Sequence, residues 1–107
     1  MQKIILLRSS FSQALGVMFR RRLGNKVFVF IYPKKIRRLF QTFFCPPLRI
    51  VALEKMGEQQ AKNVSEKIVP PWRFVPLPPA NLIVEMAPEM QMDKELVAEI
   101  LSAVGDH

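Results

Sequence analysis

The sequence predicts a mainly β, single-domain architecture, sandwich-like or barrel-like, with a short helix near the N-terminus and another at the C-terminus. Three observations carry this. Apolar runs of strand length, rich in Val, Ile and Phe, recur at short spacing between residues 3 and 86. Five of the nine prolines fall within residues 70–79, which holds that segment extended and free of helix. Apolar residues recur at helical spacing in two places, near residues 11–19 and 93–104.

Taken in order, residues 3–7 read as a short strand, and Ser9 and Ser10 can cap a short helix from Phe11 that ends near Gly16. Gly24 and Asn25 turn the chain into residues 27–32, where β-branched and aromatic residues follow one another with no polar member. That pattern predicts a strand covered on both faces. Pro33, Lys34 and Lys35 end it, and a further strand is expected over residues 37–44. Pro46 and Pro47 cannot donate to a ladder and mark a bend before a core strand at residues 48–53. A turn around Gly57 leads to a more polar, exposed strand within residues 59–69. Residues 70–79 read as a packed loop clamped by Trp72, Phe74 and Leu77, and residues 81–86 as another short strand. Finally Asp93 caps a helix whose Leu96, Val97, Ile100, Leu101 and Val104 form one stripe, with Gly105 as its stop. No repeat or linker divides the 107 residues, so one domain is expected, with a β core over residues 1–90 and the helix over 93–104.

The charges are unevenly spread. Residues 1–53 hold eleven Lys or Arg and no acid, whereas residues 54–107 hold five basic and nine acidic residues, for a net charge of +7. Such a basic half points to an anionic partner, nucleic acid, an acidic protein or a membrane surface, unless the two halves pair with each other in the fold. The longest apolar run is strand-sized, so no transmembrane segment is expected. The apolar block before Arg8 is too short for a secretory signal, and the single cysteine cannot form an internal disulfide. A cytoplasmic location is the expectation.

The chemistry available to the chain is narrow. Its one histidine is the terminal His107, which leaves no Ser-His-Asp or Cys-His pair and no metal-ligand cluster. Four scattered glycines make no phosphate loop, so no cofactor, metal or catalytic residue is expected. Cys45 reads as a buried thiol, with activation by Arg49 as the alternative. Two binding surfaces can be drawn. One is a ligand site or docking face at Gln41, Thr42, Cys45, Arg49 and Trp72. The other is an anion-binding surface at Arg20, Arg21, Arg22, Lys34, Lys35, Arg37 and Arg38, with Tyr32 or Trp72 for base stacking.

Several motifs occur in a familiar order: Met18-Phe19-Arg20 with Leu23, residues 27–30, residues 40–44, Pro47-Leu48 before Ile50 and Leu53, and Pro79-Ala80 leading to Val84-Glu85. Over roughly residues 9–87 the chain resembles the small prokaryotic family of domains of unknown function numbered 192. The resemblance implies a compact β-sandwich of jelly-roll type and supplies no activity. Arg49 stands where that family commonly has an acid, Cys45 where it often has methionine, and Glu54 matches an acid often found after the strand.

The functional expectation is a non-enzymatic binding or interaction module for a small polar ligand or a protein partner. The alternative is a basic nucleic-acid-binding module built on the arginine-rich half; an enzyme is the least favoured reading.

Overall fold

The structure is a computed structural model that describes residues 2–8, 23–57 and 59–105. Its strands are β1 (Lys3–Leu7), β2 (Lys26–Gln41), β3 (Leu48–Lys55), β4 (Ala61–Val69) and β5 (Phe74–Met86), followed by one described helix, α1 (Lys94–Val104). They form a single sheet in the order β1-β2-β5-β3-β4. β1 runs parallel to β2, and the other neighbours are antiparallel. The mainly β expectation holds, while the described strands lie in one sheet where a sandwich or jelly roll is expected from the sequence. The short helix expected from Phe11 lies outside the described residues.

Two departures from the expected elements explain the single sheet. The sequence predicts separate strands at residues 27–32 and 37–44, yet β2 runs through Pro33 to Gln41. Pro33, which has no N–H, falls where the pairing with β5 shifts register between Ile31 and Ile36, so no ladder bond is lost there. The proline-rich stretch expected as a loop is also strand, from Phe74 onward. The Pro76 carbonyl accepts a 3.4 Å hydrogen bond from Lys67 Nζ, on the side of β4. Because N and O of one strand residue point the same way, the ring nitrogen of Pro76 also faces away from β2, and Pro78 repeats that orientation two residues on. Pro79 lies at the second register shift, between the pairs Arg38–Leu77 and Ile36–Ala80.

The bend in β2 shapes the molecule. Ten residues of straight strand span about 33 Å, but the Phe30 and Phe40 ring centroids are 5.2 Å apart. The outer halves of β2 and β5 therefore fold over one face of the sheet. There Phe40, Val75 and Leu77 pack with Phe28, Phe30, Ile50 and Ile83. On the opposite face Val27, Val29, Val51, Leu82, Val84 and Met86 are covered by Leu96, Ile100, Leu101 and Val104 of α1. Residues 27–30 are thus buried on both faces, as their unbroken apolar run requires. β4 is an edge strand protected by charge, with Lys62, Glu66 and Lys67 along it.

Asp93 starts α1 as expected, its Oδ1 accepting the Leu96 N–H at 2.8 Å, and the Gly105 N–H closes it on the Leu101 carbonyl. The last turn carries no basic residue of its own. Cations reach it from elsewhere: Lys55 Nζ donates to the Gly105 carbonyl and Arg8 Nη2 to the Val104 carbonyl. Replacing the cap, Asp93→Ala, is expected to cost about 1 kcal/mol, read as a lower urea midpoint at unchanged slope. No described helix is long and apolar enough to cross a membrane.

Candidate functional site

The folded-over face holds a buried acid. Glu85 pairs across the sheet with Phe28 of β2 and Ile50 of β3, both on that face, and is only 5% exposed. Among the described residues no hydrogen bond or ion pair reaches its carboxyl. Burial alone pushes it up from the ordinary carboxylate range to about 8, so near neutrality most of the population keeps its proton. Two further groups lie within reach of its charge. The half-buried Tyr32 hydroxyl is pushed up to about 12, chiefly by burial, with Arg38 opposing and Glu85 adding. The Cys45 thiol is pushed up to about 11, again by burial first and Glu85 second. All three groups are therefore protonated at pH 7, and the thiol is inert rather than activated.

An opening adjoins this interior. A crevice of about 420 Å³ is lined by Leu23, Gly24, Pro46, Pro47, Ala87, Pro88 and Glu89. Ala87 lies two residues beyond Glu85 along the chain and packs into the same cluster, while Pro46 follows Cys45 directly. Among the described residues the wall is mostly apolar, with Glu89 its one charged member. The Arg49 guanidinium reaches the same rim, bonded to the carbonyl of Pro88.

The residues singled out in the sequence divide between two places. Thr42 is fully buried and joins the turn after β2 to the segment before β5. Its Oγ1 donates to the Pro70 carbonyl and accepts the Arg73 N–H, each at 2.9 Å. Its backbone N–H donates to the Arg73 carbonyl at 2.9 Å, and its carbonyl accepts the Trp72 N–H at 3.1 Å. Gln41 caps the same turn by accepting the Phe43 N–H. Trp72 stacks on Phe43 at 5.5 Å, and Phe44 meets it edge-on at 4.7 Å. Gln41, Thr42 and Trp72 thus form one end of the molecule, and Cys45 leads from it to the interior. The strand expected through Phe44 stops at Gln41, and Phe44 is exposed rather than core.

Arg49 lies apart from these. Its Nη1 pairs with Glu66 on β4 at 2.6 Å, and its Nε and Nη2 donate to the Pro88 carbonyl at 3.2 and 2.8 Å. It fastens the edge strand to the segment after β5 and leaves the Cys45 pKa to burial. The anion-binding set is also partly committed. Lys35 pairs with Glu54 and holds that carboxyl below its ordinary range. The Arg38 guanidinium sits 3.6 Å from the Tyr32 ring centre and donates to the carbonyls of Lys34, Ile36 and Ala80. Tyr32 is thereby covered on one face and unsuited to base stacking. Lys34 and Arg37 are exposed, and Arg20, Arg21 and Arg22 lie outside the described residues. The pairs Lys35–Glu54 and Arg49–Glu66 each join the basic half to the acidic half.

Glu85 was not among the residues singled out. The one local signal is an acid inside the apolar run Leu82-Ile83-Val84-Glu85-Met86, where strand burial on both faces leaves no solvent side for a charge.

No protein-family model and no curated protein matches the chain. Two solved structures resemble it. One is a proposed transcription regulator from Sinorhizobium meliloti 1021, with TM-score 0.65, 13% identity, and coverage of 78% of this chain and 66% of that one. The other is a protein of unknown function from Novosphingobium aromaticivorans DSM 12444, with TM-score 0.63, 20% identity, and coverage of 94% of this chain and 69% of that one. The chain thus spans about two thirds of the length of each. At these identities the likeness shows a shared fold.

Proposed function

We propose that the chain is a non-enzymatic binding module that takes a small cationic ligand, an amine or guanidine on a compact apolar body, with its charged group on the Glu85 carboxyl. The observation that carries this is a buried acid without a described partner. Keeping such a group costs several kcal/mol unless something compensates it, and a cation entering the crevice supplies the compensation. The crevice has the size of a small-ligand site, and Glu89 at its wall adds attraction of the same sign. An incoming cation displaces the Glu85 proton, so binding tightens as pH rises toward 8.

Membership of the family of domains of unknown function numbered 192 is proposed alongside: of the motifs carrying the resemblance, residues 27–30 fall on β2, Leu48 to Leu53 on β3 and Pro79 to Glu85 on β5, while Met18-Phe19-Arg20 lies outside the described residues. A ligand-responsive role is also in keeping with the description of the Sinorhizobium meliloti neighbour as a proposed regulator, although that likeness extends to the fold alone.

The test is a thermal-shift panel of small amines and guanidines beside neutral and anionic compounds of equal size, at pH 6 and pH 8.5. The expected result is stabilisation by cations alone, stronger at pH 8.5 and abolished in Glu85→Gln. Stabilisation by anions only, or an undiminished response in Glu85→Gln, would overturn the reading.

A further inference from the structure

The end of the molecule built around Thr42 is a separate surface with a chemistry of its own. Phe44, Trp72 and Phe74 are 51%, 56% and 64% exposed; Phe44 packs on Trp72, and Trp72 and Phe74 both pack on Phe43. Leu39, 65% exposed, lies beside them, because Gln41 pairs with Phe74 and Leu39 with the next outward position, Pro76. Phe44 and Trp72 both have left-handed backbone, with φ of 60° and 62°. For bulky residues that conformation costs roughly 1–2 kcal/mol each, and the Thr42 hydrogen bonds hold it in place. Exposed rings on a strained, clamped scaffold are a built feature of the surface.

The exposed cations near it, among the described residues, have no acid paired to them. Arg37, Lys67 and Arg73 are exposed near this end, and Glu66, the acid next to Lys67, is paired with Arg49. The complementary partner is therefore anionic and able to accept apolar bulk. A single-stranded nucleic acid needs open ring faces for its bases, but Trp72 already has Phe43 stacked on it and Phe44 against it, and Leu39 has no π face at all. A lipid interface needs only bulky apolar side chains, Trp and Phe foremost, beneath a basic rim.

We propose that this end docks peripherally on an anionic lipid bilayer, inserting Phe44, Trp72 and Phe74 at the headgroup level while Arg37, Lys67 and Arg73 face the anionic headgroups. The surface lies at the turn end of β2 and does not use the Glu85 crevice, so ligand binding and lipid docking stand or fall separately.

Trp72, the single tryptophan, reports directly on the test. The full chain is mixed with vesicles of phosphatidylcholine alone or with 30% phosphatidylserine, and co-sedimentation and tryptophan emission are followed at low and high salt. Sedimentation and a blue shift confined to the anionic vesicles and weakened by salt are expected. Phe74→Ala and Arg73→Glu, both at exposed positions, should each weaken the partition by roughly tenfold while leaving circular dichroism unchanged. Unchanged emission with both vesicles, equal partition of the two variants, or quenching by a dT20 oligonucleotide without any response to lipid would overturn the proposal.

Discussion

Wild-type protein is expected to lose about 3 kcal/mol of stability between pH 5.5 and pH 8.5, and Glu85→Gln is expected to lose almost none over the same range. Burial pushes the folded-state pKa of Glu85 up to about 8, above the ordinary 4.5 of an exposed glutamate. Between those two values the folded chain holds a proton that the unfolded chain has released. Stability from this group is therefore fully present below about pH 4.5 and falls as pH rises through 8. The slope approaches 1.4 kcal/mol per pH unit in the middle of the range. Tyr32 and Cys45, the titratable groups that feel the Glu85 charge, have pKa values pushed to about 12 and 11 and stay protonated throughout. Urea titrations of both proteins at pH 5.5, 7 and 8.5 measure the effect. Parallel loss of stability in the two proteins would show that Glu85 is not the source.

The second large effect is expected at Thr42. Thr42→Val keeps the shape of the side chain but removes the oxygen that accepts the Arg73 N–H and donates to the Pro70 carbonyl. Two partly buried backbone groups then lose their partner, for a cost of about 3 kcal/mol. Thr42→Ser retains the oxygen and should cost about 1 kcal/mol, the value of a buried methyl. The loss has a local signature as well, because Trp72 is held in left-handed backbone next to this clamp. Its emission should broaden and shift to the red in Thr42→Val before global unfolding, but not in Thr42→Ser. Equal stability of Val and Ser variants would mean that the clamp contributes little.

The reach of the sequence can be judged residue by residue. α1 was legible because both of its ends and its buried stripe are local patterns: Asp93, Gly105 and the spacing from Leu96 to Val104. Residues 27–30 were legible because an unbroken apolar run of strand length has one common explanation. β2 was divided in two because Pro33 locally reads as a stop, and only pairing with β5 shows that it falls in a register shift. The prolines of β5 misled in the same way, since an unpaired strand side is a property of the neighbour and not of the segment. Of the candidate site residues, Thr42 and Trp72 were found for their polarity and bulk, but the clamp joining them spans about thirty residues of sequence. The positive φ values of Phe44 and Trp72 have no residue signature at all. Glu85 appeared only in the Val84-Glu85 motif and as one acid among nine, because its burial arises when the bend at Pro33 folds Phe40 back onto Phe30.

The central claim, that Glu85 is a buried carboxyl with no charged partner among the described residues and takes one from a ligand, is tested most directly by a carbon-13 NMR titration of the glutamate side-chain carboxyls. The Glu85 signal can be assigned by its absence from Glu85→Gln. An inflection near pH 8 that moves to lower pH when a stabilising amine is added is the predicted result, and an inflection in the ordinary range near 4.5 would contradict it.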